Sequence, residues 1–289
     1  MTLGAAPGPA LSQAEFRSLR DLLQQHCGIF FREEMAFLME RRLRPRLSLL
    51  ALTSFAAYHR YLKWHPDGPA ELEAAVELLT TNETYFFREP NQLRAFQEEV
   101  LPALALQNAA TRRLHVWSAG CSTGEECYTI AILMSEARAL AGWQLEVHGT
   151  DISRRVLAVA RRAEYGASSL RATSEELQRR HFKLVQGRHV PRAEVRALVT
   201  FGQGNLVDGA GPTPQGVDAV FCRNVMIYFD VSAKQKALAA FHRSLAPGGY
   251  LFLGHSESLI NVTADFELVH LRNDVAYRKP LASLGGAPG

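Results

Sequence analysis

Three short stretches of this 289-residue chain place charged or amide side chains where an apolar, β-favouring run should be ending. The first, VWSAGCSTGEE from Val116, runs through Gly120 and Gly124 into a helix that opens on Glu125 and Glu126. Glycines at such a point let the backbone turn tightly and approach a ligand, and the helix start adds free N–H groups. The stretch is neither GxGxxG nor a P-loop, since no Lys-Ser/Thr pair follows Gly124. Two carboxylates there would repel a pyrophosphate but suit a cationic ligand; they also suit the positive end of a helix dipole. The second stretch, HGTDIS, ends a strand on Asp151. An acidic residue at that point can hydrogen-bond ribose hydroxyls, or it can cap the next helix. The third, FCRNVMIYFD, puts Arg223 and Asn224 at a strand end and follows them with Tyr228 and Phe229. A buried strand does not ordinarily end in Arg-Asn, and this is the edge that faces the ligand in an open α/β sheet.

A fourth stretch, LLTTNETYFFREPNQ over residues 78–92, sits where a bland connector should be. It carries Asn82, Thr84, three consecutive aromatics and Arg88. The aromatics can pin flanking domains together, leaving the polar residues free to face a ligand.

Elements that could position these residues follow from periodicity. Residues 12–80 read as helices. Ser12 with Glu15 is a capping-box spacing, and Leu19, Leu22, Leu23 and His26 recur at helical intervals. REEMAFLMERRLRPRL predicts a second helix ending near Pro45, with Phe37, Leu38 and Leu43 inward and Arg41, Arg42, Arg44 and Arg46 crowding its C-terminal end. SFAAYHRYLKW and AELEAAVELLTT predict two more. From residue 114, strands and helices alternate, which predicts a mainly parallel, doubly wound sheet. FELVHL and VAYRK predict a C-terminal antiparallel hairpin on its edge, and residues 167–200, around Gly187 and Pro191, a small antiparallel β-insert. The expected organisation is a helical domain over 11–80, a linker over 81–110 and an α/β domain over 111–280, with disordered tails at 1–10 and 281–289.

Composition narrows the function classes. Hydrophobic residues make up 47% and charged residues 21%, the balance of a globular chain. A net charge of +3 argues against a dedicated nucleic-acid binder. No apolar run approaches a membrane span, and the N-terminus lacks the charged and apolar regions of a signal peptide, so the cytoplasm is expected. Cys27, Cys121, Cys127 and Cys222 form no CxxC pair and read as buried thiols, and the 10 histidines are scattered, so no metal site is expected.

Together TTNETYFFRE, VWSAGCSTGEECYTIA, TDIS, FCRNVMIYFD and PGGYLFLGHSES resemble the CheR family of chemotaxis receptor glutamate methyltransferases. The resemblance implies an all-α N-terminal domain and a class I, Rossmann-like methyltransferase domain. It implies methyl transfer from S-adenosylmethionine, yielding S-adenosylhomocysteine, to glutamates on the cytoplasmic methylation helices of chemoreceptors. Matched motif to motif, Asn82, Thr84 and Arg88 line the cofactor and substrate site. Glu126, with Glu125 as the alternative, meets the methionine or sulfonium end, Asp151 takes the ribose, and Asn205 and Leu206 in GQGNL flank the adenine. Arg223 and Asn224 close the site beside Gly120, and Arg88 and Tyr228 orient the reacting carboxylate. The resemblance also points Arg41, Arg42, Arg44 and Arg46 at the acidic receptor, against the plain alternative of a solvated helix end. The short connection LVQGRHVPRAEV favours an enzyme independent of a receptor C-terminal pentapeptide, and a monomer without membrane insertion is expected. Rival readings are a class I methyltransferase of a small molecule and a non-catalytic S-adenosylmethionine-binding adaptor.

Overall fold

The Ser12 hydroxyl accepts from the Glu15 amide while the Glu15 carboxylate accepts from the Ser12 amide, the reciprocal cap that their spacing dictates. It starts α1 (Gln13–Cys27) in a computed structural model that describes residues 9–208 and 213–281. Residues 1–8 and 282–289 of the expected tails lie outside the described residues. The chain divides into two units, residues 1–81 with 228–233 and residues 82–227 with 234–289.

In the first unit α1 is followed by α2 (Ala36–Leu49), α3 (Phe55–Trp64) and α4 (Gly68–Leu79). Phe16, Leu19 and Leu23 of α1, Phe55, Tyr58 and Leu62 of α3, and Leu72, Val76 and Leu79 of α4 are buried. Helix α2 departs from expectation twice. It runs through Pro45 to Leu49. Proline removes one hydrogen bond to the carbonyl four residues back, that of Arg41, and both residues lie on the exposed side, where that carbonyl is open to solvent. Its inward stripe is Met39, Leu43 and Leu47, at helical spacing, so Phe37 is thrown outward and is 73% exposed, and Leu38 is half-buried.

The second unit opens on residues 82–89, which have no regular structure, and then turns helical much earlier than expected. Pro90 begins α5 (Pro90–Ala95), which continues through a π turn (Phe96–Val100) into α6 (Leu101–Gln107). Most of the segment expected as linker is therefore helix. It packs through Phe96, whose ring centroid lies 5.1 Å from Phe221 and 5.6 Å from Phe252, both edge-to-face.

Those two phenylalanines belong to a seven-stranded sheet. Its strands are β1 (Arg113–Ala119), β2 (Gln144–Asp151), β5 (Val199–Gln203), β6 (Val217–Cys222), β7 (Leu245–Leu253), β8 (Glu267–His270) and β9 (Val275–Arg278), in the order β5-β2-β1-β6-β7-β9-β8. The first five are mutually parallel, β6 is buried along its whole length, and the closing pair is the expected antiparallel hairpin. The last strand lies inside the hairpin, paired with β7, so β8 forms the edge. Helices α7 (Glu125–Glu136), α8 (Arg154–Arg162), α9 (Glu175–His181), α10 (Ala193–Arg196) and α11 (Val231–Ser244) connect the strands. The expected insert is a separate hairpin of β3 (Phe182–Val185) and β4 (Arg188–Pro191). Gln186 and Gly187, with φ of 48° and 74°, make its two-residue turn. The β1, β2 and β6 strands end side by side at Ala119, Asp151 and Cys222, where the strand order reverses on either side of β1.

Candidate active site

The loop leaving β1 is fixed by backbone contacts before any side chain is considered. The Gly120 and Cys121 amides both donate to the Thr150 carbonyl, at 2.8 and 2.9 Å. Gly120 and Gly124 adopt φ of +82° and +92°. A Cβ on Gly120 would fall 2.5 Å from Val225 Cγ2, and one on Gly124 2.9 Å from Ala160 Cβ. Both glycines thus make room for the chain's own packing.

Asp151 holds this loop from the neighbouring strand. Its Oδ2 accepts the Ser122 amide at 2.8 Å and its Oδ1 the Ser153 amide at 2.9 Å. The N-cap of α8 is Ser153, whose hydroxyl accepts from Val156, so the Asp151 carboxylate sits at the strand end between two loops. Further along, Asn205 Oδ1 accepts the Val207 amide at 3.1 Å and its Nδ2 donates to Asp208 at 2.8 Å, which sets the turn carrying the half-buried Leu206.

The two glutamates opening α7 have separate surroundings. Glu125 is buried, and its oxygens accept the Thr123 hydroxyl at 2.6 Å and the Ser169 hydroxyl at 3.0 Å, tying α7 to the turn before α9. Glu126 lies at the sheet edge. Its Oε1 accepts the Ser118 hydroxyl at 2.7 Å and its Oε2 is 3.5 Å from Arg223. Burial pushes both carboxyls above their ordinary pKa; at Glu126 the Arg223 guanidinium pulls the other way.

Arg223 is the hub of this edge. Its side chain is buried, 3.3 Å from Glu89 and 3.5 Å from Glu126, and it donates to the Arg88 carbonyl. The Asn224 that follows has a φ of +60°, and its amide donates to Glu257 Oε2 at 2.8 Å. Asn224 Oδ1, Arg223 Nε and Glu89 Oε2 are buried without a hydrogen-bond partner. Buried polar atoms of this kind are rare in a finished interior, and here two belong to the consecutive residues that follow β6, with Glu89 ion-paired beside them.

The stretch over residues 82–89 lies against this edge. The Ser122 hydroxyl donates to the Asn82 carbonyl at 3.2 Å, the Phe86 amide to Ser169 at 2.9 Å and the Phe87 amide to the Thr129 hydroxyl at 3.2 Å. Phe86 and Phe87 are buried in the core of this unit, and Thr84 is half-buried between them and Asn82 in sequence. Tyr85 is half-buried under two cations, the Arg171 guanidinium 3.7 Å from its ring centroid and that of Arg88 at 5.8 Å. Arg88 also donates to the Glu83 carbonyl at 2.9 Å. Asn82, Arg88, Ser122, Glu126, Asp151, Arg223 and Asn224 are thus joined by short links in one unit.

Sequence reasoning missed Glu89, Arg171 and Glu257. Glu89 and Glu257 stood inside phrases already singled out, TTNETYFFRE and PGGYLFLGHSES; Arg171 carried no signal.

Tyr228 and the α2 arginines belong to the other unit. The Tyr228 carbonyl accepts the Phe30 amide at 2.8 Å, and Ile29 bridges Phe229. Arg42 donates to the carbonyls of Leu78, Leu79 and Thr80 at the end of α4, Arg44 pairs with Glu40, and Arg46 pairs with the buried Glu71. Arg41 is exposed. Among the described residues no cluster of His, Cys, Asp or Glu is arranged to hold a metal, and no helix is long and apolar enough to cross a membrane.

Comparison with known proteins identifies the family. Residues 82–275 match the family model "CheR methyltransferase, SAM binding domain" and residues 14–80 the model "CheR methyltransferase, all-alpha domain". Chemotaxis protein methyltransferase 2 of Vibrio cholerae is 34% identical over 93% of this chain and 94% of its own length. The chemotaxis protein methyltransferase of Salmonella typhimurium is 37% identical over 90% and 88%, and that of Escherichia coli 36% identical over 90% and 89%.

Proposed function

We propose that this chain, which belongs to the CheR methyltransferase family and uses S-adenosylmethionine, esterifies glutamate side chains of chemoreceptors in the cytoplasm. The observation that carries the reading is the pair of buried polar atoms without hydrogen-bond partners, Arg223 Nε and Asn224 Oδ1, just after β6 and beside Glu126. A ligand with a ribose, an amino-acid end and a positive sulfur fits this set. Asp151 would take the ribose hydroxyls, Asn205 and Leu206 would flank the base, and Gly120, Asn82, Thr84, Arg223 and Asn224 would hold the amino-acid end. Glu126 supplies negative charge for the cation. When bound, the cofactor supplies a methyl group activated by its sulfonium.

The acceptor's requirements follow from elementary chemistry. A glutamate carboxylate is ionised at neutral pH, its ordinary pKa being about 4.3, so it is already a nucleophile and needs no general base. What it needs is dehydration and aim. Arg88 fits that task because the Glu83 carbonyl and the Tyr85 ring restrain its guanidinium while other N–H donors stay available for a forked contact. The ester product carries no charge, so Arg88 loses its hold once the methyl has moved, which aids release. The tight Gln186-Gly187 turn supports recognition without a receptor C-terminal pentapeptide.

The test is to incubate the protein with S-adenosylmethionine and receptor cytoplasmic fragments and locate the methyl groups by peptide mass spectrometry. Methyl groups on glutamate side chains support the reading. Their appearance only on lysine, arginine or a small molecule overturns it.

A further inference from the structure

The loop after β6 and the end of β7 present backbone N–H groups to one carboxylate. Glu257 Oε2 accepts the Asn224 amide at 2.8 Å and the Gly254 amide at 2.7 Å, and its Oε1 accepts the Ile227 amide at 3.0 Å. Successive amides turned inward around a residue of positive φ form an anion-binding concavity, and here Asn224 supplies the positive φ. The anion is the protein's own. The fit is close: a Cβ on Gly254 would fall 2.7 Å from Asn224 Nδ2 and 2.8 Å from Glu257 Oε2. Asparagine tolerates the left-handed region better than other non-glycine residues, and the amide contacts of Glu257 fix Asn224 there. Held so, Asn224 has its Oδ1 buried without a hydrogen-bond partner.

We propose that Glu257 is a positioning residue for cofactor binding: by pinning the amides of Asn224 and Ile227 it holds Asn224 ready for the ligand. This rests on the assignment of Asn224 to the cofactor site. Glu257 itself touches only the loop. Burial drives its carboxyl toward the neutral form and the amide contacts oppose this, so the ionised side chain and the loop conformation depend on each other.

The test is calorimetric binding of S-adenosylhomocysteine, without any receptor, to wild type, Glu257→Gln and Glu257→Asp. Its outcome is independent of whether glutamate is the acceptor. Glutamine keeps the shape but turns an N–H₂ toward backbone N–H groups, so its affinity should fall about tenfold to a hundredfold. Aspartate keeps the charge on a shorter arm and should fall less. Steady-state kinetics should show the loss in the KM for S-adenosylmethionine, with the receptor KM unmoved. A folded Glu257→Gln protein that binds within twofold of wild type overturns the proposal. Should that variant fail to fold, amide hydrogen exchange on wild type decides. Protection of Asn224 and Ile227 in the ligand-free protein supports the restraint, and free exchange at both overturns it.

Discussion

Arg88 keeps one N–H on the Glu83 carbonyl and its plane near Tyr85, so its remaining donors are restrained before a substrate arrives. Replacing it with alanine should lower kcat about a hundredfold while cofactor affinity changes little, because the charge-assisted contact is made with the acceptor. Near wild-type turnover would remove Arg88 from the mechanism. Glu125 offers a pH test. Burial raises its folded-state pKa, so the unfolded chain ionises first as pH climbs through the ordinary carboxyl range. This group's contribution to stability is therefore greatest below that range and declines as pH rises through the folded value. Glu125→Gln, which never ionises, should gain melting temperature relative to wild type from about pH 4 upward. A wild type that gains on the variant instead would contradict the sign. Where the candidate residues fall was legible at this scale, because Asp151, Arg223 and Asn224 interrupt apolar runs at strand ends. What Glu257 does was not, because its contacts depend on an Asn224 backbone conformation that no side-chain pattern reports.

The helices show why legibility weakens between distant elements. Arg46 and Glu71 are far apart in sequence, yet the Arg46 guanidinium grips the Glu71 carboxylate from two nitrogens and the Tyr58 hydroxyl donates to the same group at 2.6 Å. The arginine therefore holds α2 to α4 within the first unit, and Arg42 covers the open carbonyls at the end of α4. No local spacing distinguishes such arginines from a free basic face. Glu71→Ala leaves Tyr58 and Arg46 without their partner in a largely buried place and should destabilise this unit by about 3 kcal/mol in chemical denaturation. A change under about 0.5 kcal/mol, the scale of an exposed pair, would show that the cluster is solvated. The strands were easier to find. Apolar runs bounded by Gly, Asp and Arg-Asn mark buried parallel strands whatever they pack against. The helices over residues 90–107 fall inside the expected linker, and Pro90 opens them because its fixed φ and missing N–H suit a first helical turn.

For the whole molecule, the residues proposed for the cofactor fall in one unit and the α2 arginines in the other. The parallel sheet edge gathers the polar residues suited to the cofactor, and the helical unit presents an exposed Arg41, whose neighbours Arg42, Arg44 and Arg46 have partners in the chain. With a net charge of only +3, attraction to an acidic receptor must come from local charge. Arg41→Glu should raise the receptor KM, more so at low salt, without changing cofactor affinity. Equal kinetics at both salt concentrations would place the receptor contact elsewhere. The central claim is that a glutamate carboxylate, needing no general base, accepts the methyl group. Its most direct test uses S-adenosylmethionine labelled in the methyl group with receptor cytoplasmic fragments, followed by mild alkali. The account predicts label on the receptor that alkali releases as methanol, as an ester requires; label that survives alkali, as on nitrogen, would contradict it.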